Sequence, residues 1–339
     1  MRSCRADSSS SGIEPLDLSV IIVSFNTRDL LAQCLKSLTS GDLRVRYEIL
    51  VVDNGSKDGS AEMVRLRFPD VILVRNAENL GFAKANNQAF AIARGRYLLL
   101  LNSDTVAQDD AIVALAAFLE MHPKAAVVGP RILNFDGTLQ SKGYQAPSIR
   151  LMLWSLTTRP LPFKTRRVIA PQCFWHDDEV VQVGWLSGCC LLVRRAVVQT
   201  IGGLCEDFVF YAEETEWCYR ARKAGFEVWY FGQRVIRHLG GGSTVEPIPE
   251  PVRLENYKIL CRRTVGIVRA ATMSLLVVAI KGIFYLPVSL VARNHKRRFD
   301  LLDQLRYELK VIRYLLSGTT SRSEELRKKP PEKQPTESV

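Results

Sequence analysis

The chain has 339 residues, 47% of them hydrophobic, and a formal charge of +11. That is enough apolar material for one large domain or two smaller ones and excludes a wholly disordered chain. The basic excess favours an anionic partner, whether nucleotide, nucleic acid or acidic membrane surface. Eight cysteines without a CxxC pair argue against structural zinc and a disulfide scaffold, and they fit a reducing cytosol.

Residues 1–17 are Ser-rich and lack an apolar run, which predicts a disordered tail and no cleaved signal peptide. Leu18 to Val23 reads as a buried strand, stopped by Ser24-Phe25-Asn26. Leu30, Leu31, Cys34, Leu35 and Leu38 then recur at helical spacing. A second strand, Glu48 to Val52, ends in the turn signal Asp53-Asn54-Gly55-Ser56. A helix from Gly59 to Phe68 and a strand from Val71 to Val74 follow. The polar loop Asn76 to Gly81 leads into a helix running to Ala93. Tyr97 to Leu101 is a fourth strand, Ala111 to Met121 a helix, and Ala126 to Gly129 a further strand. This alternation predicts an α/β fold, Rossmann-like, with mostly parallel strands and helices on both faces.

From Leu133 to Val181 the pattern loses its period, as for a segment covering a sheet edge. A second organised block spans Val183 to Ser243, with a strand from Glu227 to Phe231. Pro247 to Pro251 reads as a linker. Between Arg253 and Arg298 stand ten Lys/Arg against one acid, Glu255, woven through apolar residues. Ala270 to Ala292 is long enough to cross a bilayer, though Lys281 and Pro287 interrupt it. Arg262, Arg263 and Arg269 on one side, with Arg293, Lys296, Arg297 and Arg298 on the other, make both flanks basic. That disfavours a span and favours helices lying in an anionic cytoplasmic leaflet. The charges interleave with aliphatics rather than stacking aromatics, which argues against nucleic acid. The expected organisation is thus a catalytic domain over 18–245, a basic helical extension over 246–316 and a disordered tail over 317–339.

Leu101-Asn102-Ser103-Asp104 carries the most chemistry. An apolar strand ends in an acidic-polar step, and ligands of open α/β sheets bind at that edge. Asp104 can supply an oxygen to a hard divalent cation, or the step can be a turn capping the next helix. A nicotinamide dehydrogenase would need GxGxxG after its first strand, and Ser24-Phe25-Asn26 offers none.

Several motifs in order resemble glycosyltransferase family 2, whose GT-A fold implies a Rossmann-like mixed sheet with helices on both faces, most closely its bacterial rhamnosyltransferase-type branch. They are Val20 to Asn26, Val51 to Ser60, Asn79 to Asn87, Leu100 to Thr105, Gly188 to Arg195, Ile201 to Leu204, Tyr211 to Arg220 and His238 to Ser243. The resemblance implies a nucleoside-diphosphate sugar (dTDP- or UDP-linked) held by Val23, Ser24, Asn26, Asp53, Asn79, Gly81, Asn86, Asn87, Asn102, Ser103 and Asp104. Asp53 would accept the imino N–H of uracil or thymine, or cap the next helix. Asn102-Ser103-Asp104 would be a variant Asp-x-Asp motif, so Asp104, with His238, would bind Mg2+ or Mn2+. Trp185, Gly188 and Cys189 would line the acceptor and donor pocket. Glu214, with Glu213 as its rival, would be the general base, kept ionised by the helix N-terminus. Glu216 and Arg220 read as a helical ion pair. The acceptor would be lipid-linked or polysaccharide, at the cytoplasmic face of the inner membrane. A nucleotidyltransferase and a non-catalytic sugar-nucleotide-binding membrane protein are the rival readings.

Overall fold

Strand β1 (Leu18–Ser24) is buried along nearly its whole length because both its faces are covered. Val20 and Ile22 face one hydrophobic core and Ile21 the other. Its parallel neighbours are β2 (Tyr47–Asp53) and β4 (Tyr97–Asn102), and β3 (Ile72–Arg75) lies outside β2. The register aligns Ser24 with Asp53 and Val23 with Asn102. The polar residues that end three separate strands therefore share one sheet edge. The computed structural model describes residues 17–40, 45–107, 109–145, 175–208, 211–240, 249–280 and 295–317.

Helices α1 (Arg28–Thr39), α2 (Ser60–Arg67) and α4 (Asp109–Met121) pack on the Val20 face, through Leu31, Leu35, Val64, Leu115 and their neighbours. Helices α3 (Phe82–Ile92), α5 (Arg195–Ile201) and α6 (Glu213–Lys223) pack on the Ile21 face through Ala85, Val197 and Trp217. β4 divides its leucines likewise: Leu99 and Leu101 to one core, Leu98 and Leu100 to the other. This period of two is what a doubly covered strand requires.

The second half makes the sheet mixed, as the GT-A resemblance implies, where the strand–helix alternation alone suggests mostly parallel strands. β9 (Cys190–Arg194) inserts between β4 and β6 (Ala125–Leu133), antiparallel to both. β10 (Glu227–His238) runs parallel to β6, and β5 (Thr105–Val106) pairs with its end, His238 opposite Thr105. Helical crossovers impose parallel pairing only on the first four strands considered, β1 to β4. β10 also extends well past the expected end at Phe231, with a register shift between Phe231 and Val235. Two short strands, β7 (Leu139–Ser141) and β8 (Val180–Gln182), pair with β6 and β10 inside the aperiodic stretch.

The expected proline linker is partly helix. Helix α7 (Glu250–Arg263) starts at Glu250 with Pro251 in its first turn, where the missing N–H costs nothing. Helices α8 (Ile267–Ile280) and α9 (His295–Leu316) complete a small core of Leu254, Cys261, Ala270, Ala271, Val311 and Leu315. Among the described residues no helix is long and apolar enough to cross a membrane. Lys281, Pro287, Ala292 and Arg293, the tails 1–16 and 318–339, and Gly241 to Ser243 lie outside the described residues. The extension docks on the sheet domain: Tyr219 Oη donates to the Thr264 carbonyl at 2.9 Å, and Asn256 Nδ2 to the Tyr211 carbonyl at 3.3 Å.

Candidate active site

At the shared sheet edge a line of hydroxyls crosses from β1 to β4. Ser24 Oγ, Thr27 Oγ1 and Ser103 Oγ are linked by two hydrogen bonds of 2.9 Å each. Asn26 adopts a left-handed φ of 51°. Its N–H donates to Ser56 Oγ and its Oδ1 accepts from Lys57 N–H, which fastens the β1 loop to the β2 loop. Asp53 is buried. One carboxylate oxygen accepts from Ser56 N–H at 3.3 Å, and Oδ1 has no hydrogen-bond partner. Burial raises its carboxyl above the ordinary aspartate value, against the lowering effect of Ser56.

The Asn79 loop is built around Asn54. Asn54 Nδ2 donates to Asn79 Oδ1 at 2.7 Å and to the Gly81 carbonyl at 3.3 Å, while Leu80 N–H donates to Asn54 Oδ1. This sets the entry to α3. Asn86 turns back on its own helix, donating to the Phe82 carbonyl. Asn87 reaches the other way, giving to the Leu204 carbonyl and Glu206 and accepting from Leu204 N–H. The amides of Asn86 and Asn87 are thus engaged within the protein.

Asp104 is buried, and neither of its carboxylate oxygens accepts a hydrogen bond. His238 Nε2 stands 3.1 Å from Asp104 Oδ1, brought there by the β5–β10 pairing. Asn102 Nδ2 lies 3.3 Å from the same ring nitrogen. Leaving a buried carboxylate without donors costs several kcal/mol unless a cation meets it. Among the described residues no group of three or more His, Cys, Asp and Glu could hold a metal alone. A divalent ion carrying a diphosphate needs only one or two protein ligands, and an oxygen beside an imidazole nitrogen suits it. The residues fit such an ion.

Glu213 and Glu214 open α6, after Tyr211 and Ala212 at φ of 70° and 77°. Two consecutive non-glycine residues in the left-handed region are strained. Both carboxyls are buried, and the expectation of ordinary ionisation is corrected here. Burial raises Glu214 to about 7, despite backbone N–H groups of the helix start. Burial and the Glu214 charge hold Glu213 well above the glutamate range, and its Oε2 has no partner. A helix N-terminus contributes on the order of 1 kcal/mol, less than this desolvation.

Gly188 and Cys189 join the two acidic centres. A Cβ on Gly188 would lie 3.5 Å from Glu214 Cγ. The Cys189 carbonyl accepts from Asn102 N–H at 3.0 Å. Burial pushes the Cys189 thiol up to about 12, and the charges of both Asp104 and Glu214 add to that shift. Asp104 and Glu214, 110 positions apart in the chain, therefore flank one two-residue segment. Trp185 stacks on Tyr144 with centroids 4.1 Å apart. Glu216 and Arg220 form the expected pair, but Arg220 also donates to the Ile201 and Gly203 carbonyls, anchoring α6 to that turn.

Residues 19–185 match the family model described as glycosyl transferase family 2. The chain carries a family 2 glycosyltransferase domain. This glycosyltransferase is 29% identical over 243 residues to the N-acetylglucosaminyl-diphospho-decaprenol L-rhamnosyltransferase of Mycobacterium tuberculosis, covering 67% of this chain and 77% of that protein. The mannosyltransferase PcManGT from Pyrobaculum calidifontis, solved with GDP-Man and Mn2+, superposes with a TM-score of 0.52 at 15% identity, covering 94% of this chain and 89% of that one. S. aureus TarS 1-349 with UDP-GlcNAc gives a TM-score of 0.51 at 15% identity, covering 92% and 85%. Those two likenesses show the shared fold.

Two site residues lie outside the motifs: Thr27, which completes the hydroxyl line, and Gln140, whose Oε1 meets His238 Nδ1 at 2.6 Å. Thr27 follows directly on the Ser24-Phe25-Asn26 stop, so its hydroxyl belongs to the same polar strand end. Gln140 sits in the aperiodic stretch, where no local signal marks it.

Proposed function

We propose that this glycosyltransferase inverts configuration, moving a sugar from a nucleoside-diphosphate donor to a hydroxyl of a lipid-linked or cell-surface polysaccharide acceptor. The observation that carries it is the pair of acidic centres on either side of Gly188-Cys189: a donor-free carboxylate beside an imidazole, and a glutamate poised near neutrality. Asp53 Oδ1, a buried acceptor without a partner, suits a base that presents an N–H, as uracil and thymine do. Ser24, Asn26 and Asn102 lie at the same edge for base and ribose, and the α3 start offers backbone N–H groups toward phosphate. Asp104 and His238 would hold Mg2+ or Mn2+, which neutralises charge on the departing diphosphate. Glu214, the glutamate that lies against Gly188, takes the proton of the acceptor hydroxyl as that oxygen attacks the anomeric carbon. The C–O bond to the diphosphate breaks as the new one forms on the opposite face. Burial and the Glu214 charge favour the protonated form of Glu213, which limits the negative charge beside the nucleophile.

The mycobacterial relative supports rhamnose as the sugar and a diphospho-polyprenol as the acceptor. The basic α7–α9 extension supports work at the cytoplasmic face of the inner membrane. Wild-type protein incubated with dTDP-rhamnose and UDP-sugars, an N-acetylglucosaminyl-diphospho-lipid and Mn2+ tests this. Release of nucleoside diphosphate with a glycosylated lipid is expected. Release of pyrophosphate would indicate nucleotidyl transfer, and binding without any product would indicate a non-catalytic protein.

A further inference from the structure

Gln140 lies on β7, in the segment without sequence periodicity, yet it makes the shortest polar contact of His238. Gln140 Nε2 donates to the His238 backbone carbonyl at 3.2 Å and to Asn134 Oδ1 at 2.7 Å. A backbone carbonyl can only accept, so the amide nitrogen must face it and Oε1 must face the ring. Oε1 meets His238 Nδ1 at 2.6 Å, and an amide oxygen can only accept. Nδ1 therefore carries the proton. In the neutral ring Nε2 is then a lone pair that accepts from Asn102 Nδ2 at 3.3 Å and stands 3.1 Å from Asp104 Oδ1, two electron-rich atoms that repel unless a cation meets both.

The direction of the amide is itself enforced from behind. Thr138 Oγ1 donates to Asp136 Oδ1 at 2.6 Å, so it accepts from Asn134 Nδ2 at 2.9 Å, leaving Asn134 Oδ1 to receive Gln140. Gly240, at φ 69°, leaves the room: a Cβ there would fall 2.5 Å from Gln140 Nε2. A one-way line of hydrogen bonds thus runs from the exposed β6–β7 turn to the imidazole.

We infer that Gln140 is a positioning residue that fixes His238 in its Nδ1–H tautomer, so that Nε2 is presented as a ligand atom beside Asp104. The inference rests on the proposal that Asp104 and His238 hold a divalent ion. Outer partners of this kind change metal affinity by roughly 10- to 100-fold. Two measurements test it. The first is Mn2+ binding, read by electron paramagnetic resonance with uridine diphosphate present, for wild type, Gln140→Leu, Gln140→Glu and His238→Ala. Gln140→Leu should weaken Mn2+ about tenfold or more, and Gln140→Glu, which keeps an acceptor at Nδ1 but sets an oxygen against Asn134 Oδ1 and the His238 carbonyl, should fall between that variant and wild type. The second needs no variant of Gln140: 15N spectra of the metal-free wild type at alkaline pH, with His238 assigned by its loss in His238→Ala. A pyrrole-type Nδ1 and a pyridine-type Nε2 are expected. If His238→Ala weakens Mn2+ and Gln140→Leu does not, the role of Gln140 is refuted and the metal site stands. If His238→Ala also binds Mn2+ as wild type does, both ideas fall. A pyridine-type Nδ1 overturns the tautomer directly, whatever the variants do.

Discussion

Replacing Glu214 by Gln should make the protein more stable at alkaline pH while removing its activity. The folded protein holds the Glu214 proton up to about 7, against an ordinary value of 4.5. Between those values the folded state binds more protons than the unfolded chain, so stability falls as pH rises through the interval. Each unit is worth about 1.36 kcal/mol, so at pH 8 the ionised Glu214 costs the folded state about 3 kcal/mol. Glutamine has the same shape and cannot ionise. Urea unfolding of wild type and Glu214→Gln should therefore differ by about 3 kcal/mol in favour of the variant at pH 8, and by little at pH 4.5. Glu213 adds pH dependence of the same sign, and because the Glu214 charge helps to raise it, removing that charge lowers Glu213 too and enlarges the difference in the variant's favour. In wild type, transfer should rise with pH around 7 and level off above it, because the base must be ionised. An equal stability difference at both pH values, or wild-type turnover in the variant, would refute this account of the base.

Asp53→Asn keeps the shape of the side chain but places a donor or a neutral acceptor where Oδ1 stands. Calorimetry should show uridine diphosphate binding about 10- to 100-fold more weakly, and unchanged binding would remove Asp53 from base recognition. Thr27→Val breaks both links of the Ser24–Thr27–Ser103 line and should lower stability by about 1–3 kcal/mol in urea. Full-length protein should sediment with vesicles containing anionic phospholipid, less so at high salt, and not with phosphatidylcholine alone. Equal sedimentation with both would replace the electrostatic reading of the extension.

The elements legible in the sequence were those whose signal is local. β1, β2 and β4 are apolar runs that end in a polar stop, and the same stops turned out to share the site edge. β9 was hidden in plain sight. Cys190 to Val193 reads as apolar, but nothing in it says that it runs antiparallel between β4 and β6. The continuation of β10 to His238 was obscured because Gln233, Arg234 and Arg237 interrupt the apolar run. The protonation of Glu213 and Glu214 depends on burial, which adjacent acids at a helix start do not reveal. Gln140 acquires meaning only through a partner 98 positions away.

Anomalous diffraction from crystals grown with Mn2+ and uridine diphosphate tests the shared site most directly. The account predicts one manganese between Asp104, His238 and the diphosphate, with the Glu214 carboxylate across an open sugar-sized space from the terminal phosphate. A manganese bound elsewhere, or a diphosphate seated with Glu214 walled off from it, would contradict the account.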